Sequence, residues 1–129
     1  NPYKDANQFV IGLSIGSSKQ AYQLDEAAKS IVINDHLDGE NLLIVVDPEG
    51  NSIRVFKRPS IGTADLKFKW ADGQLYDVKT QSRWDTLRGM ATHGLLKGKH
   101  LERLPYVLGY TWAWYLHNPE STIYRSTSD

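Results

Sequence analysis

Leu66-Lys67-Phe68-Lys69-Trp70-Ala71-Asp72-Gly73-Gln74-Leu75-Tyr76-Asp77-Val78 is the stretch on which the fold turns. Leu66, Phe68 and Trp70 alternate with Lys67 and Lys69, the two-residue period of a strand with one buried face. Asp72-Gly73 follows, and both residues tolerate the positive φ that a tight hairpin requires. The stretch therefore predicts a hairpin, with its return strand at residues 75–78.

The same signals recur towards the N-terminus. Residues 9–15 and 19–24 flank the turn signal Gly16-Ser17-Ser18. Asp25 is placed to cap a short helical turn through Ser30. Ile31-Val32-Ile33 suits a strand, and Asp38-Gly39 predicts a second tight turn leading into the apolar run Leu42 to Val46. A turn at Asp47-Pro48-Glu49-Gly50-Asn51 then leads into Ile53, Val55 and Phe56. Residues 80–99 carry Gly89, Gly94 and Gly98 and read as irregular.

Towards the C-terminus the period changes. Leu104, Leu108 and Trp112 recur every four residues, continued by Leu116, which is helical spacing. Pro105 suits a first helical turn, and Pro119 stops the helix. Leu104, Leu108 and Trp112 are then expected to pack on the sheet, beside a core that includes Phe68, Trp70 and Trp84. Tyr106, Tyr110 and Trp114 fall on a second face of this helix, which reads as an aromatic surface for a protein partner. Residues 122–124 suit a last short strand, and residues 126–129 a frayed polar tail. The predicted fold is mainly β (α+β): an antiparallel meander or partly closed barrel with one C-terminal helix packed on it, in a single β-rich domain spanning residues 1–129.

Composition bounds the chemistry. The chain has 129 residues, 40% hydrophobic and 23% charged, as expected of a soluble globular domain. Fifteen basic and fifteen acidic residues leave no net charge, so no general field favours nucleic acid. There is no cysteine, which excludes a thiol nucleophile and thiolate ligands. No apolar run approaches the roughly 20 residues of a membrane span. The start at Asn1 reads as a processed chain or a fragment of a longer one.

Individual residue sets give little catalytic signal. His36, His93, His100 and His117 include no His-x-x-x-His pair, and His93 with His100 or Met90 is the best available combination for a metal or haem. No cofactor is expected. Ser82, His93 and Asp77 could be assembled into a nucleophile set, but there is no Gly-x-Ser-x-Gly elbow. Arg54, Lys57, Arg58, Lys67 and Lys69 would form a basic stripe if their strands paired, which is more simply a solvated sheet face. Asp77, Thr80, Ser82 and Trp84 are best read as a turn fixed by side-chain hydrogen bonds, with the indole N–H seeking a buried acceptor.

Tyr76-Asp77-x-x-Thr80-x-Ser82-x-Trp84 is followed by Gly89-x-Ala91-x-x-Gly94-x-x-x-Gly98-x-x-Leu101-x-x-Leu104-Pro105, then Tyr110-Thr111-Trp112-Ala113-Trp114 and Pro119-x-x-Thr122. With Ala21-Tyr22-x-Leu24 and Val32-Ile33-Asn34-Asp35 upstream, this order resembles a bacterial and archaeal domain-of-unknown-function family, number 3179, over residues 10–124. Members often carry a Cys-Pro-x-Cys-Gly stretch where this chain has Asp47-Pro48-Glu49-Gly50, and a histidine where it has residues near Ser30. The resemblance implies that any redox or metal site built on those groups is lost here. It also implies an extracytoplasmic location.

The leading expectation is a non-catalytic accessory or interaction module, docking on a larger protein through Tyr106, Tyr110 and Trp114. The alternative is a small-molecule-binding or hydrolytic domain with a site near Asp77, Ser82 and Trp84.

Overall fold

The computed structural model describes residues 8–126. In chain order the elements are β1 (Phe9–Ile15), β2 (Ser18–Gln23), α1 (Leu24–Ser30), β3 (Val32–Leu37), β4 (Glu40–Asp47), β5 (Ser52–Lys57), β6 (Ser60–Ile61), β7 (Ala64–Asp65), β8 (Phe68–Ala71), β9 (Gln74–Asp77), β10 (Arg83–Asp85), β11 (Met90–His93), β12 (Val107–Tyr110), α2 (Thr111–His117) and β13 (Thr122–Ile123). The predicted tail at residues 126–129 lies almost entirely outside the described residues.

The strands form open sheets and do not close into a barrel. The first sheet runs β12-β1-β2-β13, the second β3-β4-β5 and the third β11-β10-β9-β8, with β6-β7 a small separate hairpin. The second and third sheets are antiparallel meanders, as expected; β13 joins the first sheet parallel to β2.

Stacking of these sheets follows from the unbroken apolar run in β4. In a strand, neighbouring side chains point to opposite faces, so five apolar residues in succession require burial on both. Leu42, Ile44 and Val46 pack with Ile11, Leu13 and Tyr22 of the first sheet and Ala27 of α1. Leu43 and Val45 pack with Phe68, Leu75 and Trp84 of the third. On the far face of the first sheet, Val10 and Ala21 pack against Trp114 and Tyr115 of α2. The order of layers is thus helix α2, first sheet, second sheet, third sheet.

The hairpin at residues 66–78 forms as predicted, with Trp70 paired to Leu75 and positive φ at Asp72 and Gly73. Leu66 and Phe68 are buried, and Trp70 is half-buried. Helix α1 begins at Leu24; Asp25 does not cap it but accepts from the N–H of Glu26. Ile31 is the residue after α1 rather than part of a strand, with a φ of 66° that a β-branched residue rarely adopts. Hydrogen bonds from Ile31 N–H to Ala27 and from Val46 N–H to Ile31 hold it there.

The C-terminal helix is present but shorter than its period suggested, and it presents a different face. Leu104 donates its N–H to Val55, and Lys57 donates to Glu102, so this segment runs along the open edge of β5. Those tertiary bonds override the helical spacing. Residues 107–110 then form β12, and only residues 111–117 are helical. Consequently Leu108 and Trp112 are exposed rather than core, Leu104 is half-buried, and Trp114 is buried rather than part of a partner surface. A close approach fixes this face: a Cβ on Gly12 would lie 2.3 Å from the Trp114 ring.

Two polar residues tie the sheets together. Asn34 of β3 donates to the carbonyl of Phe68 (2.8 Å) and accepts from its N–H (2.9 Å), acting as a strand edge for β8. Tyr22 donates its hydroxyl to Asp35 at 2.7 Å, and Gln20 donates to the same oxygen at 2.8 Å. Burial pushes the Tyr22 pKa far above the ordinary tyrosine value, and the hydrogen bond to Asp35 adds to the rise. Burial and Asp35 also raise Tyr124, whose ring lies 5.2 Å from that of Tyr22.

A folded-state pKa above the unfolded one contributes stability at pH below the unfolded value of about 10, and that contribution is lost as pH rises beyond it. Stability measured by denaturant should therefore fall from about pH 10 upward, Tyr22 alone supplying about 1.4 kcal/mol per pH unit. Tyr22→Phe should flatten that slope; an unchanged slope would show that the hydroxyl titrates freely.

Candidate functional site

Asp77 ends β9 and Arg83 begins β10, so residues 78–82 must reverse the chain. Gln81 donates its N–H to the Asp77 carbonyl, Asp77 donates to the Ser82 carbonyl, and Gln81 takes a φ of 59°. The side chains complete the turn. Asp77 is wholly buried, and its carboxylate accepts from the Thr80 N–H, from the Thr80 hydroxyl (2.8 Å) and from the Trp84 indole N–H (3.0 Å). Ser82, also fully buried, shares a 2.7 Å hydrogen bond with the Thr80 hydroxyl and accepts from the Leu96 N–H at 3.0 Å. At Gly94 the φ is 100° and a Cβ would lie 2.8 Å from Ser82 Cα, so the loop after β11 closes tightly over the turn.

Geometry therefore brings Asp77, Thr80, Ser82 and Trp84 together as one buried, mutually satisfied cluster. His93 does not join it: its ring nitrogens meet Arg83 at 2.8 Å, and Nδ1 also meets the Thr92 hydroxyl. Asp77, Ser82 and His93 are consequently not hydrogen-bonded as a nucleophile set. His100 forms an isolated bridge with Met90 and sits beside Pro59, apart from the bonds His93 makes. Among the described residues, no three His, Asp or Glu side chains gather as a metal-holding group.

Beside the cluster, the Trp84 ring meets Phe68 edge-on at 5.4 Å and also lines a groove of about 360 Å³. The groove lies between the small β6-β7 hairpin and the loop carrying Leu96 and Lys99. On another side, the β4–β5 turn rests on the end of β10, where Asp47 accepts from the Thr86 hydroxyl at 2.6 Å.

The strands that would have had to pair for a basic stripe do not, because β5 and β8 belong to different sheets. Arg58 is instead buried. It donates to the carbonyls of Leu42 (2.7 Å), Leu66 (3.0 Å) and Asp35 (2.8 Å) and to the Asp65 carboxylate (2.7 Å). Lys57 pairs with Glu40 and Glu102, and Arg54 donates to the Leu87 carbonyl.

Of the expected aromatic surface, only Tyr110 is exposed. Tyr106 is half-buried with its hydroxyl on the Ile53 carbonyl, and the buried Trp114 donates to Ser121. Two residues that the helical spacing did not place on this surface take part. Phe9 pairs directly with Tyr110 across β1 and β12, their rings stacked at 4.6 Å. Trp112 also stacks with Tyr110, their ring centroids 6.5 Å apart. Phe9, Tyr110 and Trp112 are 42%, 44% and 48% exposed, a ladder of three near-parallel rings open to solvent.

This ladder lies at a sheet edge. Thr111 donates its N–H to the Gln8 carbonyl, continuing the β1–β12 ladder. Hydrogen-bonded pairs alternate in an antiparallel ladder, so the backbone groups of Val107 and Gly109 face β1 while those of Leu108 and the Tyr110 N–H face outward. Four uncharged residues make up β12, without the lysine or proline that commonly blunts an edge. Of the nine exposed large hydrophobic side chains among the described residues, six fall on Phe9, β12 and α2. The signal available in sequence was the short uncharged Val107-Leu108-Gly109-Tyr110 segment, masked by the four-residue period running through it.

Architecture and sites together define a layered, mainly β domain with a buried polar turn and an open aromatic edge. The chain belongs to the family described as "Protein of unknown function (DUF3179)", whose family model matches residues 2–129. No curated protein and no solved structure matches it.

Proposed function

We propose that the protein is a non-catalytic interaction module that docks on a larger protein through the free edge of β12 and the Phe9–Tyr110–Trp112 ladder. The observation carrying this reading is the coincidence of an uncharged strand edge, unpaired among the described residues, with three stacked, exposed aromatic rings. An extended segment added to such an edge gains main-chain hydrogen bonds, and large rings beside it supply the anchors on which affinity concentrates. The buried and satisfied state of Asp77 and Ser82 supports a scaffold role for the other conspicuous cluster. An extracytoplasmic location belongs to the same proposal and rests on the family resemblance.

The test is co-purification of the tagged full chain from its native source, with and without Tyr110→Ala and Trp112→Ala. The reading expects one larger protein in stoichiometric amount, its retention reduced at least about tenfold by the pair of substitutions. A wild-type chain that runs alone, or a partner held equally by the variant, would overturn it.

A further inference from the structure

The groove beside Trp84 has features that the buried turn does not share. Its walls are mostly apolar, with Ile61, Leu66, Trp84 and Leu96 among the lining side chains. Among the described residues, the ionisable ones lining it are Lys99 and His100, both exposed, and no acidic side chain contributes. Neither is in an ion pair among the described residues. At about 360 Å³ it falls within the size range of small-molecule sites, which are mostly apolar with a few polar groups that fix orientation. The walls are also held from behind. Asp77 fixes the Trp84 indole, and Ser82 fixes the Leu96 N–H, so both side chains are positioned before any ligand arrives.

We infer that this groove binds a small aliphatic carboxylate, its chain against Trp84, Leu66 and Ile61 and its charged end towards Lys99 and His100. Charge complementarity selects the class: a cationic ligand would meet Lys99 without a counter-charge, and a neutral one would leave both ionisable residues unused. The cluster of Asp77, Thr80 and Ser82 then acts as a positioning device for the groove wall and does not touch the ligand. This site is independent of the β12 edge and stands or falls without it.

Octanoate is the probe, titrated into the full-length protein labelled with ¹⁵N, with octanol as the uncharged control. Saturable shifts of the Trp84 indole N–H and the Leu96 amide are expected with octanoate, and at least tenfold weaker binding of octanol. Lys99→Glu, at an exposed position that leaves the core untouched, should weaken octanoate at least tenfold while leaving the rest of the spectrum in place. Leu96→Trp, which fills the groove, should abolish the shifts. Absence of any Trp84 shift at millimolar octanoate would overturn the site. Equal binding of octanol, or of octanoate by the Lys99→Glu protein, would overturn its assignment to carboxylates.

Discussion

Replacing Arg58 with methionine is expected to lower the free energy of unfolding by about 3 kcal/mol. The guanidinium holds the carbonyls of Leu42, Leu66 and Asp35 in a site where the side chain is almost wholly out of solvent. Methionine matches much of its length but donates nothing, and each carbonyl deprived of a buried donor costs about 1 kcal/mol or more. Two of the carbonyls sit on the paired strands β3 and β4 and the third on the segment before β8, so the loss is felt where the second sheet meets that segment. Equilibrium denaturation measures it. The hydrogen bond from Arg58 also holds the Asp65 carboxyl below the usual carboxylate range. A depressed folded-state pKa contributes stability above the unfolded value of about 4 that is lost as pH falls through the folded value. The Arg58→Met protein should therefore lose part of the wild type's acid sensitivity. Unchanged stability would mean that water or backbone rearrangement replaces the clamp.

The second large effect concerns Asp77. Alanine there takes the acceptor from the Thr80 N–H and from the buried Trp84 indole N–H, and leaves the Thr80 hydroxyl with Ser82 alone, with an expected cost of about 3 kcal/mol. Trp84→Phe removes one of those donors and some ring volume, at about 1–2 kcal/mol. Because the two side chains share a hydrogen bond, the double variant should cost less than the sum, with a coupling of about 1–2 kcal/mol. Additive effects would show that the indole and carboxylate act separately. An Asp77→Ala protein of wild-type stability would remove the scaffold reading.

Much of the scaffold was legible from local signals. The 66–78 hairpin and the turn at Asp38-Gly39 rest on side-chain alternation and on residues that accept positive φ, both decided within a few positions. The buried turn at Asp77 was legible too, because Asp, Thr and Ser bond their own neighbourhood. What sequence could not show was decided between layers. Leu104 spends its N–H on Val55, so a segment with perfect helical spacing runs extended. That single substitution of partners moves Trp112 outward and Trp114 inward, and it separates Tyr106 from Tyr110. Phe9 belonged to the surface only once β1 paired with β12. Arg58 looked like one of five surface cations, and its burial depends on carbonyls of the β3-β4 hairpin and of Leu66, none of them a sequence neighbour.

Docking at the β12 edge is tested most directly by a photo-crosslinking residue placed at position 112, with one at position 95 as control. Leu95 is more exposed than Trp112 and equally apolar, but lies away from the ladder in the loop after β11. Illuminated in its native setting, the chain should form one discrete adduct with a larger protein from position 112, none from position 95, and none from position 112 once Tyr110→Asp is added. Adducts of equal yield from both positions, or none from position 112, would contradict the assignment of that edge to a partner.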